Sequence, residues 1–357
     1  MGTSLGDAQT DDQSGHDMAM VVCSIKETKE DESAWFERCP RSILRCLVFR
    51  AKEEFGLEFK LGFEVEFNLL ESKDATDSIQ VGSVAYATSS VRSPELDVVF
   101  EIVDLLERGG VKVWKFHPEF SKGEYEIALS PNDPITAVDD LLYVHEVIKS
   151  VALKHGRLAT MHPQPFVDGM NTIGQHTHIS LNNADLSDQF LAGLLGHLRG
   201  ITAILLGGYD SYGTRGIAYG TGDVAWSRAK NSPITQVSSN HYEIRVPDCL
   251  GKPYLRVASI LGAGIDGVSK ESKLTIKEYT GLSLEPMEED MRKELGVTDR
   301  IPSSQDEAIK AMEGDEVVKE ALGEKCFGTY LKYRKAEVKH AVGMTRAART
   351  KAIMENI

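Results

Sequence analysis

The sequence lacks a long apolar run. None of its 357 residues lies in a stretch approaching the roughly 20 apolar residues that a membrane-spanning helix needs. A basic excess is also absent, because the formal net charge is -14. Long-range electrostatics therefore disfavour nucleic acid and anionic membranes as partners. Residues 1–20 have neither a basic start nor an apolar run, so we expect no signal peptide and a cytoplasmic protein.

Cysteine is scarce and dispersed. The five cysteines form no CxxC pair: Cys23, Cys39, Cys46, Cys249 and Cys326. An odd, scattered set indicates reduced thiols in a reducing compartment, and it lacks the ligand spacing of a structural zinc site. We assign none of these thiols a catalytic role.

The chain divides by composition into a short polar segment and one large domain. Residues 1–20 are acidic with almost no large apolar side chain, which is typical of disorder. We predict residues 1–38 as a disordered or partly ordered segment and residues 39–357 as one catalytic domain. In that domain predicted strands alternate with helices, and the strands alternate apolar with charged residues, unlike a fully buried parallel sheet. The pattern predicts an antiparallel or mixed sheet with helices on one face and a polar concavity on the other.

Charged side chains recur two positions apart on four predicted strands. They are Glu64 and Glu66, Glu124 and Glu126, His176 and His178, and the trio His241, Glu243 and Arg245. Residues two apart on a strand share a face. One such pair is usually a solvated face, but four on one sheet crowd like charges unless cations compensate them. Carboxylates with an occasional imidazole suit Mg²⁺ or Mn²⁺.

Five segments, in order and spacing, resemble the catalytic domain of glutamine synthetase. GFEVEF resembles the first metal strand of that family, and HPEFSKGEYEI its second metal segment. VALKHGRLATMHPQP resembles the approach to its substrate loop, and NTIGQHTHISL its signature around the metal-binding histidine. HYEIRVPD and PYLRVASILGAGIDG resemble the last metal strand and the following helix. The resemblance runs from Pro40 to the C-terminus. It implies an α+β fold of the glutamine synthetase/guanido kinase type, with a curved, mainly antiparallel sheet, a metal-binding concave face and helices outside.

The resemblance also implies site residues, position by position. One ion would bind Glu66, Glu119 and Glu126, and a second, which in this family meets the ATP phosphates, would bind Glu64, His176 and Glu243. His178 and Ser180 would lie near the nucleotide, and Asn171 and Gly174 would contact the substrate. Arg245 would neutralise a phosphorylated intermediate. Asp210 would lie near the position of the catalytic acid that the family carries on a flexible loop.

The sequence departs from the family on the phosphate and substrate side. We expect the N-terminal β-grasp domain to be missing, and with it the composite site that the domain completes in a neighbouring subunit. By the resemblance, Gln164 stands in place of a lysine and Thr172 in place of a glycine. The pair Lys230–Asn231 replaces an Asn-Arg pair, and Gln236 replaces an arginine. Three shifted basic residues could compensate: Arg215, Arg228 or Lys230. Glu124 stands where the family usually has glutamine.

A complete ligand set beside depleted phosphate-handling groups allows three functions. The first is a divergent ATP-dependent carboxylate–amine ligase that acts on a small-molecule acid and amine through an acyl phosphate. The second is a lyase, cyclase or hydrolase that uses the ions as Lewis acids without ATP. The third is a non-catalytic structural or regulatory relative. We favour the ligase, and we expect a homo-oligomer smaller than the family's rings.

Overall fold

The computed structural model describes residues 20–26, 36–71, 93–166, 172–214, 222–281 and 285–356. The helices are α1 Pro40–Phe55, α2 Glu95–Arg108, α3 Pro134–Lys154, α4 Ser187–Leu205, α5 Pro253–Ser269, α6 Glu289–Leu295, α7 Gln305–Glu313, α8 Glu316–Leu322, α9 Glu324–Val342 and α10 Arg346–Asn356. The strands are β1 Phe59–Leu70, β2 Val113–Pro118, β3 Glu124–Leu129, β4 Leu158–Thr160, β5 Thr177–Leu181, β6 Trp226–Ser227, β7 Ile234–Ser238 and β8 His241–Ile244.

The strands form one sheet in the order β2-β3-β1-β5-β8-β7-β6, with β4 paired to β1. All of these pairings are antiparallel except that of β6 with β7. The sheet confirms the predicted α+β class with a mainly antiparallel arrangement. Strands β1 and β5 lie at the centre of the sheet.

Strand β1 is buried on both of its faces. The apolar set is Phe63, Val65 and Phe67, and the polar set is Glu64, Glu66 and Asn68, all at 8% exposure or less. Burial of the polar set differs from a solvated face and requires partners for each carboxylate, because an unpaired buried charge is costly. The partners come from β2, β5 and the segment that precedes β5, as described below.

Helices cover the apolar face of the sheet. Phe190 of α4 contacts Phe59 of β1 with ring centroids 5.9 Å apart, and it stacks on Tyr242 of β8 at 6.3 Å. Helix α5 packs against α4 so closely that a Cβ added to Gly193 would lie 2.7 Å from the backbone nitrogen of Gly267. The helical layer therefore holds β1 and β8 together from behind and leaves the opposite face for polar groups.

Part of the predicted N-terminal segment lies against the domain. The Arg41 guanidinium donates to the Ser24 hydroxyl at 3.0 Å, and the Ile25 amide lies 3.4 Å from the Cys39 sulfur. Residues 20–26 therefore contact the domain, and the predicted character of residues 1–38 as a whole stays a prediction. Residues 1–19 and 27–35 lie outside the described residues, so their predicted disorder stays a prediction. No helix in the described ranges is long and apolar enough to cross a membrane.

Candidate metal centre

Antiparallel pairing brings charged residues from distant parts of the chain onto one face. In the β1–β3 register Glu66 faces Glu126, and in the β2–β3 register His117 also faces Glu126. On the other side of β1, the Glu64 amide donates to the His176 carbonyl at 3.1 Å. The β5–β8 register pairs Glu243 with His178 and so places Glu243 beside β5. The polar side chains meet because each strand alternates in phase with its neighbour.

Glu64, His176 and Glu243 form a compact cluster, which we call the inner group. Nδ1 of His176 lies 3.1 Å from Oε2 of Glu64 and 3.3 Å from Oε1 of Glu243. All three side chains are buried, and one ligand atom of each lies within 4.8 Å of the others. The structure thus brings together the three residues expected to bind the second ion.

A second cluster, the outer group, contains His117, Glu119 and Glu126. Nδ1 of His117 lies 3.3 Å from Oε1 of Glu119, and its Nε2 lies 3.3 Å from Oε1 of Glu126. From sequence, Glu66 is predicted to belong here, and His117 is not among the predicted ligands. The missed signal was the same period of two, because Lys115, His117 and Glu119 alternate along one edge of the sheet.

Glu66 lies between the two groups. Its Oε2 accepts a hydrogen bond from the Gly174 amide at 2.6 Å, and its Oε1 lies 4.0 Å from Nε2 of His176. Burial raises the pKa of Glu66, and the neighbouring Glu119 and Glu126 carboxylates raise it further, although His176 and the Gly174 amide oppose them. The expectation that Glu66 binds the same ion as Glu119 and Glu126 stays a prediction.

The inner group is strongly polarised. Burial opposes ionisation of Glu64, but contacts with His176 and His178 hold the pKa of Glu64 well below its usual range. Burial and Arg245 lower the pKa of His176, whereas Glu243 and Glu64 raise it, and the net result is a pKa of about 9. Without an ion, therefore, an imidazolium neutralises the carboxylates at neutral pH, and a cation must displace that proton.

The donor set fits a hard divalent cation. Glu243 is fully buried, and its Oε2 has no hydrogen-bond partner among the described residues. An orphaned buried carboxylate oxygen is unfavourable unless something electropositive faces it. Carboxylates with one imidazole in each group are the ligands that Mg²⁺ and Mn²⁺ accept.

Three basic side chains border the two groups. Arg245 donates to Oε1 of Glu243 at 2.7 Å, and Nζ of Lys230 lies 4.0 Å from the same oxygen. Nζ of Lys115 lies 3.3 Å from Oε1 of Glu126 and 3.7 Å from Oε1 of Glu64. Lys115 therefore spans the inner and outer groups.

A cavity of about 270 Å³ opens beside the inner group. Its walls include both residues predicted near the nucleotide, Ser180 and His178, together with His241. Nδ1 of His178 lies 3.0 Å from Nε2 of His241, while its Nε2 lies 3.4 Å from Oε1 of Glu64. The cavity is thus continuous with the inner group through His178.

Behind the inner group, a buried network supports the segment that carries His176. The side-chain Nε2 of Gln175 lies 2.6 Å from Nε2 of His145, and its side-chain Oε1 accepts from the guanidinium of Arg256. Burial lowers the pKa of His145 to about 3, so the ring stays neutral and can accept this hydrogen bond. On the other side, the backbone of Gly174 lies against the His176 ring, so closely that an added Cβ would be 2.7 Å from Nε2 of His176.

The remaining predicted residues are less central. Both Asp210 oxygens accept from Arg349 of α10, at 2.6 and 2.7 Å, so this carboxylate is engaged away from the two groups. A catalytic role for Asp210 stays a prediction. Asn171 and Arg215 lie outside the described residues.

The altered phosphate-side positions face in different directions. In the β7–β8 register Gln236 is opposite Tyr242, and its side-chain Nε2 donates to the Tyr242 hydroxyl at 3.4 Å, on the helix-covered face. Asn231 donates to the Gly281 carbonyl, and Arg228 pairs with Glu278. Of the described candidates for replacing the lost basic groups, Lys230 is the one that approaches Glu243.

Comparisons with known proteins identify the family and the fold. A family model described as the glutamine synthetase catalytic domain matches residues 37–352. Protein fluG of Emericella nidulans is 33% identical over 340 residues, covering 92% of this chain and 39% of that relative, so the chain spans well under half of its length. The glutamine synthetase of Methanocaldococcus jannaschii is 30% identical over 346 residues, covering 90% of this chain and 74% of that enzyme. The solved structure of GmaS without ligand is 25% identical, has a TM-score of 0.74, and covers 91% of this chain and 78% of that chain.

Proposed function

The chain belongs to the glutamine synthetase family, matching its catalytic domain, and from that premise we propose that it is a divergent ATP-dependent carboxylate–amine ligase. The observation that carries the proposal is the meeting of Glu64, His176 and Glu243 beside a cavity lined by His178 and Ser180. A nucleotide in that cavity would have its phosphates next to the inner group. We also propose that residues 39–357 act as one catalytic domain.

The inner group, and the outer group with Glu66, would each hold Mg²⁺ or Mn²⁺, which when bound would neutralise the phosphate oxygens. The fit is supported by the orphaned Glu243 oxygen and by the mixed carboxylate and imidazole donors.

The reaction would proceed in two displacements. An oxygen of the substrate carboxylate attacks the terminal phosphorus of ATP, ADP leaves, and an acyl phosphate forms. The amine nitrogen then attacks the carbonyl carbon, inorganic phosphate leaves, and the amine gives up a proton to solvent or to a base. Positioning and charge compensation supply most of the rate in such transfers.

The protein's own residues would position these reactants. Arg245, held against Glu243, keeps a fixed positive charge at the edge of the inner group, where phosphoryl oxygens would lie. His178 and Ser180 offer polar atoms to the nucleotide. Gly174 allows the backbone to pass close to His176 and Glu66, where a side chain at this position would press on both.

The decisive experiment measures phosphate release from ATP with magnesium, using panels of carboxylates and amines. We expect release only when a matched acid and amine are both present, and its loss in His176→Ala. His155→Ala is the matched control, because His155, just past the end of α3, pairs with Glu101 of α2 and belongs to neither group. If calorimetry detects no ATP binding and no pair of substrates releases phosphate, the ligase proposal is wrong.

A second function is favoured by one specific observation. Gln236 faces Tyr242 rather than the inner group, and Asn231 is engaged by Gly281, so two family phosphate contacts are absent. An enzyme that uses the ions as Lewis acids on another small molecule, without ATP, would need neither. It would bind Mn²⁺ but not ATP in the same calorimetric experiment. If His176→Ala leaves the biological role intact, both enzyme proposals give way to a non-catalytic one.

We further propose that the chain forms a homo-oligomer smaller than the rings of its family. Light scattering tests this directly, and a particle of ring size would contradict it.

A further inference from the structure

We propose that Lys115 is a phosphate-contacting residue, which moves from the ligand carboxylates to the polyphosphate when the ions bind. The inference rests on the proposed function in that a polyphosphate must occupy the cavity beside the inner group. It assigns to Lys115 part of the neutralisation of phosphate charge that basic residues supply in the family at positions altered in this chain.

A β-bulge directs Lys115 toward the cavity. Between β2 and β3 the register shifts, so that Val113 faces Leu129 but Lys115 faces Ala128. The extra residue is Trp114, which is 72% exposed. In a regular strand, neighbours point to opposite faces, but a bulge turns two consecutive side chains toward one side. Trp114 and Lys115 accordingly both line the cavity that contains His178 and Ser180.

The present partners of Lys115 are the residues that the ions would engage. Its ammonium lies 3.3 Å from Glu126 of the outer group and 3.7 Å from Glu64 of the inner group. A divalent ion on either carboxylate would repel the ammonium and take over its partner. Lys115 would then have to find other negative charge within reach.

The geometry also gives Lys115 freedom to move. Its side chain is 46% exposed, whereas those of Glu64 and Glu126 are each 6% exposed, so the lysine and not the carboxylates can swing. A lysine carries its charge on a flexible four-carbon stem. Phosphate oxygens held at the two groups would supply the new negative partner within the same cavity.

Without Lys115, the negative charge of a bound polyphosphate would be balanced from one side only. Arg245 and Lys230 both lie against Glu243, at one end of the inner group. Lys115 approaches from the β2 edge, on the other side of Glu64. The two basic sides would bracket a polyphosphate chain between them.

The test compares Lys115→Met, Lys115→Arg and the charge-matched control Lys112→Met, whose side chain is exposed just before the same strand. Calorimetry would use three probes: Mn²⁺ alone, ADP with Mg²⁺, and inorganic tripolyphosphate with Mg²⁺. For Lys115→Met we expect Mn²⁺ binding at least as tight as in the unmodified protein, because a competing cation is removed. We expect about 10- to 100-fold weaker binding of both phosphate probes, the usual effect of losing one charge-assisted contact. Arginine should restore most of the affinity, and Lys112→Met should change nothing.

The outcomes separate this inference from the proposed function. If ADP binds the unmodified protein and Lys115→Met equally well, the inference is wrong and the ligase proposal stands. If tripolyphosphate binds but ADP does not, the nucleotide proposal fails, and the tripolyphosphate comparison alone decides the role of Lys115. Weaker Mn²⁺ binding in Lys115→Met would instead make the lysine a support for the carboxylates and overturn the inference. If no phosphate probe binds the unmodified protein, both proposals fall.

Discussion

Substitution of Gly174 by alanine should weaken metal binding without unfolding the protein. An alanine Cβ at this position would lie 2.7 Å from Nε2 and 3.1 Å from Cδ2 of His176, and 3.3 Å from Oε1 of Glu66. Ordinary contact begins near 3.4 Å, so the imidazole would have to retreat by roughly 0.7 Å. The ring cannot do so freely, because its Nδ1 is held at 3.1 Å from Glu64 and 3.3 Å from Glu243.

The magnitude follows from the role of the ring as a ligand. Displacing or tilting a metal-binding imidazole, or losing its support, typically costs about 10- to 100-fold in metal affinity. Overpacking at a buried position costs about 1–3 kcal/mol of folding free energy. We therefore expect Gly174→Ala to bind Mn²⁺ at least 10-fold more weakly, and to show a lower unfolding temperature that Mn²⁺ raises less than in the unmodified protein.

Calorimetric titration with Mn²⁺ and thermal unfolding with and without the ion are the assays. Gly196→Ala is the control, because an added Cβ at Gly196, exposed on α4, meets nothing within 4 Å. That change should leave Mn²⁺ binding intact and stabilise the helix by about 0.5–1 kcal/mol. Unaltered Mn²⁺ affinity in Gly174→Ala would refute the view that His176 is confined between the glycine and its carboxylate partners.

Three further changes probe separate parts of the structure. Glu243→Gln removes a buried charge from the inner group and should reduce Mn²⁺ affinity by at least 10-fold, as titration would show; equal affinity would exclude Glu243 as a ligand. Burial lowers the pKa of His197, but contacts with Asp315 and Asp266 raise it above its usual value, so its stabilising contribution is complete at acid pH and is lost as pH rises through the raised pKa. His197→Gln should therefore lower the free energy of unfolding by about 1 kcal/mol at pH 5.5 to 6 and by less at pH 9. Urea unfolding measures this difference at each pH, and a difference that does not change with pH would contradict the expectation. Asp210→Asn breaks the salt bridge to α10 and should cost about 1–2 kcal/mol in urea unfolding with unchanged Mn²⁺ binding; loss of phosphate release with full stability would instead support the predicted catalytic role.

Much of the candidate site was predictable because its signal is local. The spacing of Glu64 and Glu66, or of His241, Glu243 and Arg245, places side chains on one face of any strand, whatever the strand pairs with. The order of the segments then indicated the family, and the family model confirmed it. These steps depend on residues close together in the chain.

Other parts were not predictable, because they depend on how strands pair. The sequence resemblance put Gln236 in place of an arginine on the phosphate side. In the structure Gln236 pairs with Tyr242, and its side chain faces the helical layer. His117 entered the outer group because β2 pairs with β3 so that His117 faces Glu126. A register is set by contacts between distant residues, and a shift of one residue reverses the face of every side chain.

The sequence by itself determined the class of fold and the family, and it predicted the chemical kind of site, since alternation, ligand types and motif order are present in the chain. The tertiary structure alone decided which atoms meet: Glu66 with the Gly174 amide, His117 with Glu126, and Lys115 between Glu64 and Glu126. The reason is that distances of a few ångströms between strands arise from pairing, bulges and the packing of helices behind the sheet. None of these is specified by any one segment alone.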